Sequence, residues 1–261
     1  MSRKKLTREI IIKTLVNSLE PINYIHALWE GGATAFSRVD KWSDIDLYLV
    51  VDDNRINDAF QVVERALNSL SRIEQKYETK QMIWTEIFQA FYKMKDASEY
   101  LLIDLAIIKI SSPEKFLESK IHGDVVFYFN KFGKIPFEES IVSTKRLQKR
   151  LARLKAKFDI FNIFVQKEIY RGNSLEAIDL YYNVTLSSLV EILRIKYYPP
   201  HHEFKMRYVH YELPAEVIEK LEYLYFVKTI DELQEKYNIA TRWFKETIFS
   251  LTNNLSKEIS C

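Results

Sequence analysis

A pair of aspartates in the first quarter of the chain has the spacing of a metal site. Asp44 and Asp46 are separated by one residue and are followed by the aliphatic run 47–51. Successive strand residues point to opposite faces, so both carboxylates would leave on one face while Ile45 points into the core. Two carboxylates so close repel each other unless a cation lies between them. Oxygen ligands of this kind suit Mg²⁺ or Mn²⁺, so the sequence predicts a divalent metal site.

A third carboxylate extends this pattern. Asp104 is the single charge inside the apolar run 100–108. Buried charges are rare unless they are paired or bind metal. If this run forms a strand beside the first pair, the three carboxylates can hold two cations for phosphoryl transfer. We therefore predict that Asp44, Asp46 and Asp104 are both catalytic residues and metal ligands.

A glycine turn precedes the aspartate pair and could bind phosphate. Gly31 and Gly32 lack a Cβ atom, so their backbone can approach phosphate oxygens, and a short helix after them would direct its first amides there. Each motif alone has an ordinary explanation, a tight turn or a solvated strand start, and their combined order favours the functional one. The predicted nucleotide-binding residues of this segment are Gly31, Gly32, Ala33, Thr34, Ser37 and Ser43.

The hydrophobic pattern predicts the elements that would position these residues. Apolar and β-branched runs predict strands over 24–29, 45–51, 82–93, 100–110 and 125–129, with a hairpin turn at 95–98. Beyond Pro136 a helical period predicts helices over 143–170, 174–197, 215–226 and 230–255. The predicted fold class is α+β: a mixed β-sheet with helices over residues 1–135, followed by an all-α bundle over 136–261.

The motif order over residues 24–110 resembles that of the nucleotidyltransferase superfamily, the polymerase-beta-like fold. That signature is Gly-Ser or Gly-Gly-Ser, then Asp-x-Asp, then a later Asp on a neighbouring strand. The two-part layout looks like the antibiotic-modifying nucleotidyltransferases. The family's serine falls on Ala33, so one hydroxyl is missing, and Ser37 stands where some members carry a further glycine.

The resemblance implies a reaction and a set of roles. A hydroxyl of a small molecule, aminoglycoside- or lincosamide-like, would attack the α-phosphate of a nucleoside triphosphate, with ATP favoured, and release pyrophosphate. Glu86 is the candidate general base, because some antibiotic adenylyltransferases have a glutamate in a similar place. Lys205 and Arg207, in an aromatic and basic loop of the helical half, could contact the triphosphate.

The amino-acid composition limits the classes of protein to which the chain could belong. The net charge of +2 does not favour a nucleic-acid binder, and no apolar run is long enough to cross a bilayer. The only cysteine, Cys261, permits no intrachain disulfide and indicates a reducing, cytoplasmic compartment. The aromatic run 223–226 is compatible with a homodimer. Two other functions stay open: a protein-modifying, AMPylating enzyme of the antitoxin type, and a nucleotide-binding protein that has lost catalysis.

Overall fold

The computed structural model describes residues 5–79, 87–136 and 144–258. The chain divides into two compact units, Met1–Ser140 and Ile141–Cys261. The first unit contains a six-stranded sheet with helices, and the described part of the second is helical. The predicted α+β class, with a mixed sheet first and helices after it, is therefore confirmed.

The first unit places helices between the strands of its sheet. Its elements are α1 (Arg8–Leu19), β1 (Ile25–Glu30), α2 (Gly32–Ala35), β2 (Ile45–Val51), α3 (Ile56–Leu70), β3 (Ile73–Glu78), β4 (Ile87–Met94), β5 (Leu102–Lys109), α4 (Ser119–His122) and β6 (Val126–Asn130). The strand order is β3-β4-β5-β2-β1-β6. Only β2 and β5 pair in parallel; the other neighbours are antiparallel.

Alternation along β2 fixes which face of the sheet carries the aspartates. Ile45, Leu47 and Leu49 are buried on the side covered by α1 and α3. Tyr48 lies on the opposite side, where its ring stacks on Trp29 at 5.6 Å between centroids. Because side chains alternate along a strand, Asp46 shares the face of Tyr48.

Strand β3 was not predicted from the sequence. Five of its six residues are exposed, and it forms an edge of the sheet beside β4. A strand with so little buried surface has neither a continuous apolar run nor a clear alternation, so its pairing partner defines it rather than its own composition.

The second unit consists of helices around its own apolar core. They are α5 (Thr144–Phe161), α6 (Ile163–Arg171), α7 (Ser174–Leu180), a π-helical turn (Tyr181–Leu186), α8 (Ser187–Tyr197), α9 (Val209–Glu212), α10 (Ala215–Tyr225) and α11 (Ile230–Glu258). No helix among the described residues is both long enough and apolar enough to cross a membrane.

The prediction of a single helix over 143–170 was wrong. The structure has two helices there, α5 and α6, and Asn162 lies between them. The buried Asn162 amide donates to the Tyr237 hydroxyl and to Thr241 Oγ1, both at 3.0 Å, and accepts from Thr185 Oγ1 at 2.6 Å. These contacts with other helices satisfy a polar side chain that would otherwise be costly to bury. Periodicity within one segment does not reveal such partners.

Candidate active site

Two of the predicted aspartates lie side by side in the centre of the sheet. Asp46 on β2 is in direct register with Asp104 on β5. Residues opposite each other on neighbouring strands project from the same face, so both carboxylates project together. The strand that carries Asp104 therefore lies beside the strand that begins after Asp44 and carries Asp46, which the three-carboxylate hypothesis requires.

Asp44 lies immediately before β2, and its carboxylate is directed at the first residue of β5. Its Oδ1 accepts a hydrogen bond from the Leu102 backbone N–H at 3.2 Å. Its backbone carbonyl accepts a second one from Arg8 at 2.6 Å. The residue is therefore held through both its side chain and its backbone.

Asp104 is half-buried and accepts a hydrogen bond from a neighbouring strand. Gln89 on β4 donates from Nε2 to Asp104 Oδ1 at 2.7 Å. Burial, reinforced by the charges of Asp46 and Asp44, raises the pKa of Asp104 to about 6, although the Gln89 hydrogen bond acts in the opposite direction. The three carboxylates are thus close enough for their like charges to interact, which is the electrostatic condition of a cation site.

The glycine turn closes directly over Asp46. The Gly31 N–H donates to the Asp46 carbonyl at 2.9 Å, and Gly32 adopts φ +54° at the start of α2. A Cβ atom on Gly32 would lie 1.8 Å from Asp46 Oδ2. A side chain at this position would therefore collide with the carboxylate, and glycine is required for both its conformation and its size.

A buried ionic network that the sequence analysis missed supports this turn. Arg8 on α1 pairs with Glu30, whose side chain is 2% exposed, and also donates to Thr34 Oγ1 at 3.0 Å. Thr34 donates to Glu30 at 2.8 Å, and the Tyr128 hydroxyl donates to the other Glu30 oxygen. The signal in the sequence was Glu30 itself, a charge at the end of a strand that is otherwise buried.

Through Arg8 this network reaches the first aspartate. The guanidinium that pairs with Glu30 donates to the carbonyl of Asp44. Burial lowers the pKa of Arg8, whereas the charges of Tyr128, Asp46 and Asp44 act to raise it. Arg8 therefore connects the end of β1 and the start of α2 with the start of β2.

The predicted hydroxyl and amide residues occupy different places around the turn. Thr34 directs its hydroxyl proton to Glu30, and the Ser43 hydroxyl bonds to the exposed Asp40 carboxylate at 2.9 Å. Ser37 is exposed and adopts φ +54°, a conformation that glycine would accept without strain. Ala33 lies within α2, whose first amides have no intrahelical acceptor.

The other predicted site residues lie outside this constellation. Glu86 falls outside the described residues. Lys205 and Arg207 belong to the second unit, in the loop between α8 and α9, and their side chains are exposed. Arg194, which is fully buried, donates to the carbonyls of both residues and to Glu212. This buried arginine fixes the shape of the loop; the roles of Lys205 and Arg207 stay predictions.

Across the described ranges, no three His, Cys, Asp or Glu side chains converge as a ready-made metal cluster. Asp44 is turned toward the Leu102 backbone N–H, and Asp104 toward the Gln89 amide. Each of these bonds engages the Oδ1 atom of its carboxylate. One carboxylate oxygen of Asp44 and one of Asp104 are therefore engaged by protein partners.

Comparison with known proteins gives distant structural likenesses. No protein-family model matches the chain, and no curated protein matches its sequence. Similar solved structures include an aminoglycoside 6-adenyltransferase from Bacillus subtilis, with TM-score 0.37 and 13% identity, covering 96% of this chain and 92% of that one. A spectinomycin adenyltransferase from Enterococcus faecalis has TM-score 0.31 and 14% identity, with 96% and 100% covered. A c-di-GMP synthase from Capnocytophaga granulosa has TM-score 0.28 and 15% identity, with 96% and 84% covered.

All three of these solved structures are nucleotide-transferring enzymes by name. At TM-scores below 0.5 and identities below 25%, the likenesses support no inference about the activity of this chain.

Proposed function

We propose that the chain is a nucleotidyltransferase that moves a nucleoside monophosphate, AMP from ATP being favoured, to a hydroxyl of a small molecule. In the reaction, the acceptor oxygen forms a bond to the α-phosphorus while the bond from that phosphorus to pyrophosphate breaks. The hydroxyl proton passes to a base, for which Glu86 remains the candidate. Pyrophosphate is the second product.

The observation that carries this proposal is the register of Asp46 with Asp104 beneath a turn in which Gly32 has a positive φ and no space for a Cβ atom. The carboxylates and the turn lie on one face of the sheet, and the distance from Gly32 to Asp46 leaves no space for a side chain. A backbone approach of this kind next to a carboxylate cluster suits a phosphate chain bound between amides and cations.

The donor set fits a divalent cation. Asp44, Asp46 and Asp104 would hold Mg²⁺ or Mn²⁺, which would stabilise the charge that develops on the transferred phosphate. Burial is the main cause of the raised pKa of Asp104, and the charges of Asp46 and Asp44, which a cation would relieve, add to it. All of the donors are oxygens, as these ions prefer.

The remaining residues of the first unit would position the reactants. The amides at the start of α2 would bind phosphate oxygens, and Arg8 would hold the Asp44 backbone in place through its hydrogen bond to that carbonyl. Gln89 would orient Asp104 through its amide. Positioning and electrostatics supply most of the rate in phosphoryl transfer, so support of this kind would contribute to catalysis.

The test is an acceptor-dependent assay of pyrophosphate release. Purified protein would be incubated with ATP, Mg²⁺ and a panel of hydroxylated acceptors that includes lincomycin, spectinomycin and kanamycin. We expect at least one acceptor to stimulate release in the wild type, and Asp46→Asn to abolish it. Equal release by wild type and Asp46→Asn with every acceptor would show that these carboxylates are not the catalytic site.

A further inference from the structure

The carboxylate row of the sheet continues into two aromatic side chains. Asp104 on β5 is in register with Phe91 on β4, and Phe91 is in register with Tyr77 on β3. Together with the register of Asp46 and Asp104, this places two carboxylates and two rings in one line across four neighbouring strands. The Tyr77 and Phe91 rings lie 6.3 Å apart between centroids.

Several contacts show that this row lies on the face of the catalytic carboxylates. Gln89, two residues before Phe91, reaches Asp104 with its amide, whereas Ala90 and Tyr92 are buried in the core on the other side. On β3, Lys76 pairs with Glu64 of α3, which covers the opposite face. Tyr77 therefore faces away from α3, and it is 66% exposed.

We propose that Tyr77 and Phe91 form the acceptor subsite and that the acceptor is a hydroxyl-bearing ring compound of low charge. This inference rests on the proposed nucleotidyl transfer. Aromatic rings bind the apolar C–H face of a sugar or cyclitol ring by contact and dispersion. A ring seated on this pair would lie one or two strand spacings, each roughly 5 Å, from Asp104, so its hydroxyls could reach the phosphate held there.

The charges around the pair determine which acceptors fit. The other described side chains of this face on the two strands are one apolar group, two amides and one cation: Ile87, Gln75, Gln89 and Lys93. The carboxylates of β3, Glu74 and Glu78, alternate with Tyr77 and so belong to the opposite face, where Glu78 pairs with Lys76. On these two strands a polycation would meet a lysine, and the nearest carboxylates of the row, Asp104 and Asp46, are those that would hold the divalent cation under the proposed function. A ring with few charges meets no like charge there.

Exposed aromatic residues are also common on edge strands, where they stabilise the sheet through cross-strand contacts. The two explanations predict different results for Tyr77→Ala. A subsite residue affects acceptor binding without changing nucleotide affinity, whereas a purely structural pair affects only stability. Tyr77→Phe keeps the ring and serves as the conservative variant. Phe132→Ala removes a ring that is 93% exposed elsewhere in the same unit and serves as the matched control.

The experiment is saturation-transfer difference NMR on the full chain with Mg²⁺ and α,β-methylene ATP, using three probes. Methyl β-D-glucopyranoside is a neutral ring, lincomycin is a ring compound with a single amine, and kanamycin is a polycation. We expect the two ring compounds of low charge to take saturation at their ring C–H protons. Tyr77→Ala should weaken lincomycin binding about fivefold, while Tyr77→Phe and Phe132→Ala bind as the wild type.

The outcomes separate this inference from the proposed function. If α,β-methylene ATP binds but probe binding is the same in Tyr77→Ala and wild type, the subsite assignment is wrong and the pair is structural. If kanamycin binds more tightly than lincomycin, the low-charge assignment is wrong. Failure of the wild type to bind α,β-methylene ATP would refute the nucleotidyltransferase itself, and with it this subsite.

Discussion

At the scale of single residues, Gly32 provides the most stringent constraint on the site. Its position combines a left-handed backbone with a predicted Cβ contact of 1.8 Å to Asp46 Oδ2. Gly133 shares the first property without the second, because it has φ +61° and no atom within 4 Å of its Cβ position. A comparison of substitutions at the two glycines therefore distinguishes the effect of backbone strain from the effect of a side chain that contacts Asp46.

We expect Gly32→Ala to abolish nucleotide binding and Gly133→Ala to leave it unchanged. Both variants should lose about 1 kcal/mol of unfolding free energy from backbone strain, and Gly32→Ala should lose more because Asp46 must move. Denaturant unfolding combined with calorimetric nucleotide titration measures both effects. Normal nucleotide affinity in Gly32→Ala would show that the turn does not contact the ligand.

Asp104 gives a pH-dependent prediction for the metal-free protein. Because its folded pKa, about 6, lies above the ordinary value of 3.8, the folded state holds the proton more tightly than the unfolded chain. Charging Asp104 therefore costs stability as the pH rises from about 4 to about 6, and the full cost is present above that range.

We expect Asp104→Asn to raise the unfolding free energy by about 1–2 kcal/mol at pH 7.5 in the presence of chelator, allowing for the partial exposure of this group. Asparagine keeps an acceptor for Gln89, so that hydrogen bond is preserved. The gain should be much smaller at pH 4, where the wild-type carboxyl is protonated in the folded state and only partly ionised in the unfolded chain. A gain of the same size at pH 4 and pH 7.5 would contradict the electrostatic origin.

At the scale of elements, the network around Glu30 holds four segments together. Arg8 comes from α1, Glu30 from β1, Thr34 from α2 and Tyr128 from β6. Removal of one partner from a buried ion pair leaves an uncompensated charge and typically costs about 3–5 kcal/mol. The network should therefore matter for stability and for the position of Asp44 through separate contacts.

We expect Arg8→Met to destabilise the protein by about 3 kcal/mol, and the double variant Arg8→Met/Glu30→Gln to recover most of that loss. Nucleotide affinity should stay low in both variants, because neither restores the donor to the Asp44 carbonyl. Thermal melting and nucleotide titration of the two variants measure these effects. Recovery of both stability and affinity in the double variant would assign Arg8 a purely structural role.

The elements that could be predicted from the sequence are those whose own residues carry the signal. The β2 strand was predicted at its observed bounds because the run 45–51 is rich in aliphatic and β-branched residues. The β3 strand was missed because five of its six residues are exposed. The break at Asn162 was missed because the partners of its side chain lie in other elements. The hydrophobic pattern of a segment identifies the side chains that it buries. It does not identify the residues, distant in the sequence, that contact the segment in the fold.

The same division applies to the site. The three aspartates and the glycine pair could be found because they are unusual for the strands and the turn that contain them. Arg8 and Gln89 could not be found in this way, because their partners are distant in the sequence. Glu30 lies 22 residues from Arg8, and Asp104 lies 15 residues from Gln89. An arginine on an amphipathic helix and a glutamine on a strand have no sequence feature that marks them as supports.

At the scale of the whole molecule, every contact described around the carboxylates belongs to the first unit, Met1–Ser140. The near-neutral charge of the chain gives no general attraction for polyanions, so nucleotide binding should depend on this local site and not on the overall field. Binding that required neither the carboxylates nor a divalent cation would be inconsistent with this account.

Calorimetric titration of α,β-methylene ATP into the full chain tests the central claim most directly. It would be carried out with Mg²⁺ and with chelator, for wild type and for Asp46→Asn. We predict binding of the wild type that requires Mg²⁺, and a loss of at least about 100-fold in affinity for Asp46→Asn. Equal affinity of the two proteins, or wild-type binding that is unchanged by chelator, would contradict the assignment of Asp44, Asp46 and Asp104 as a metal–nucleotide site.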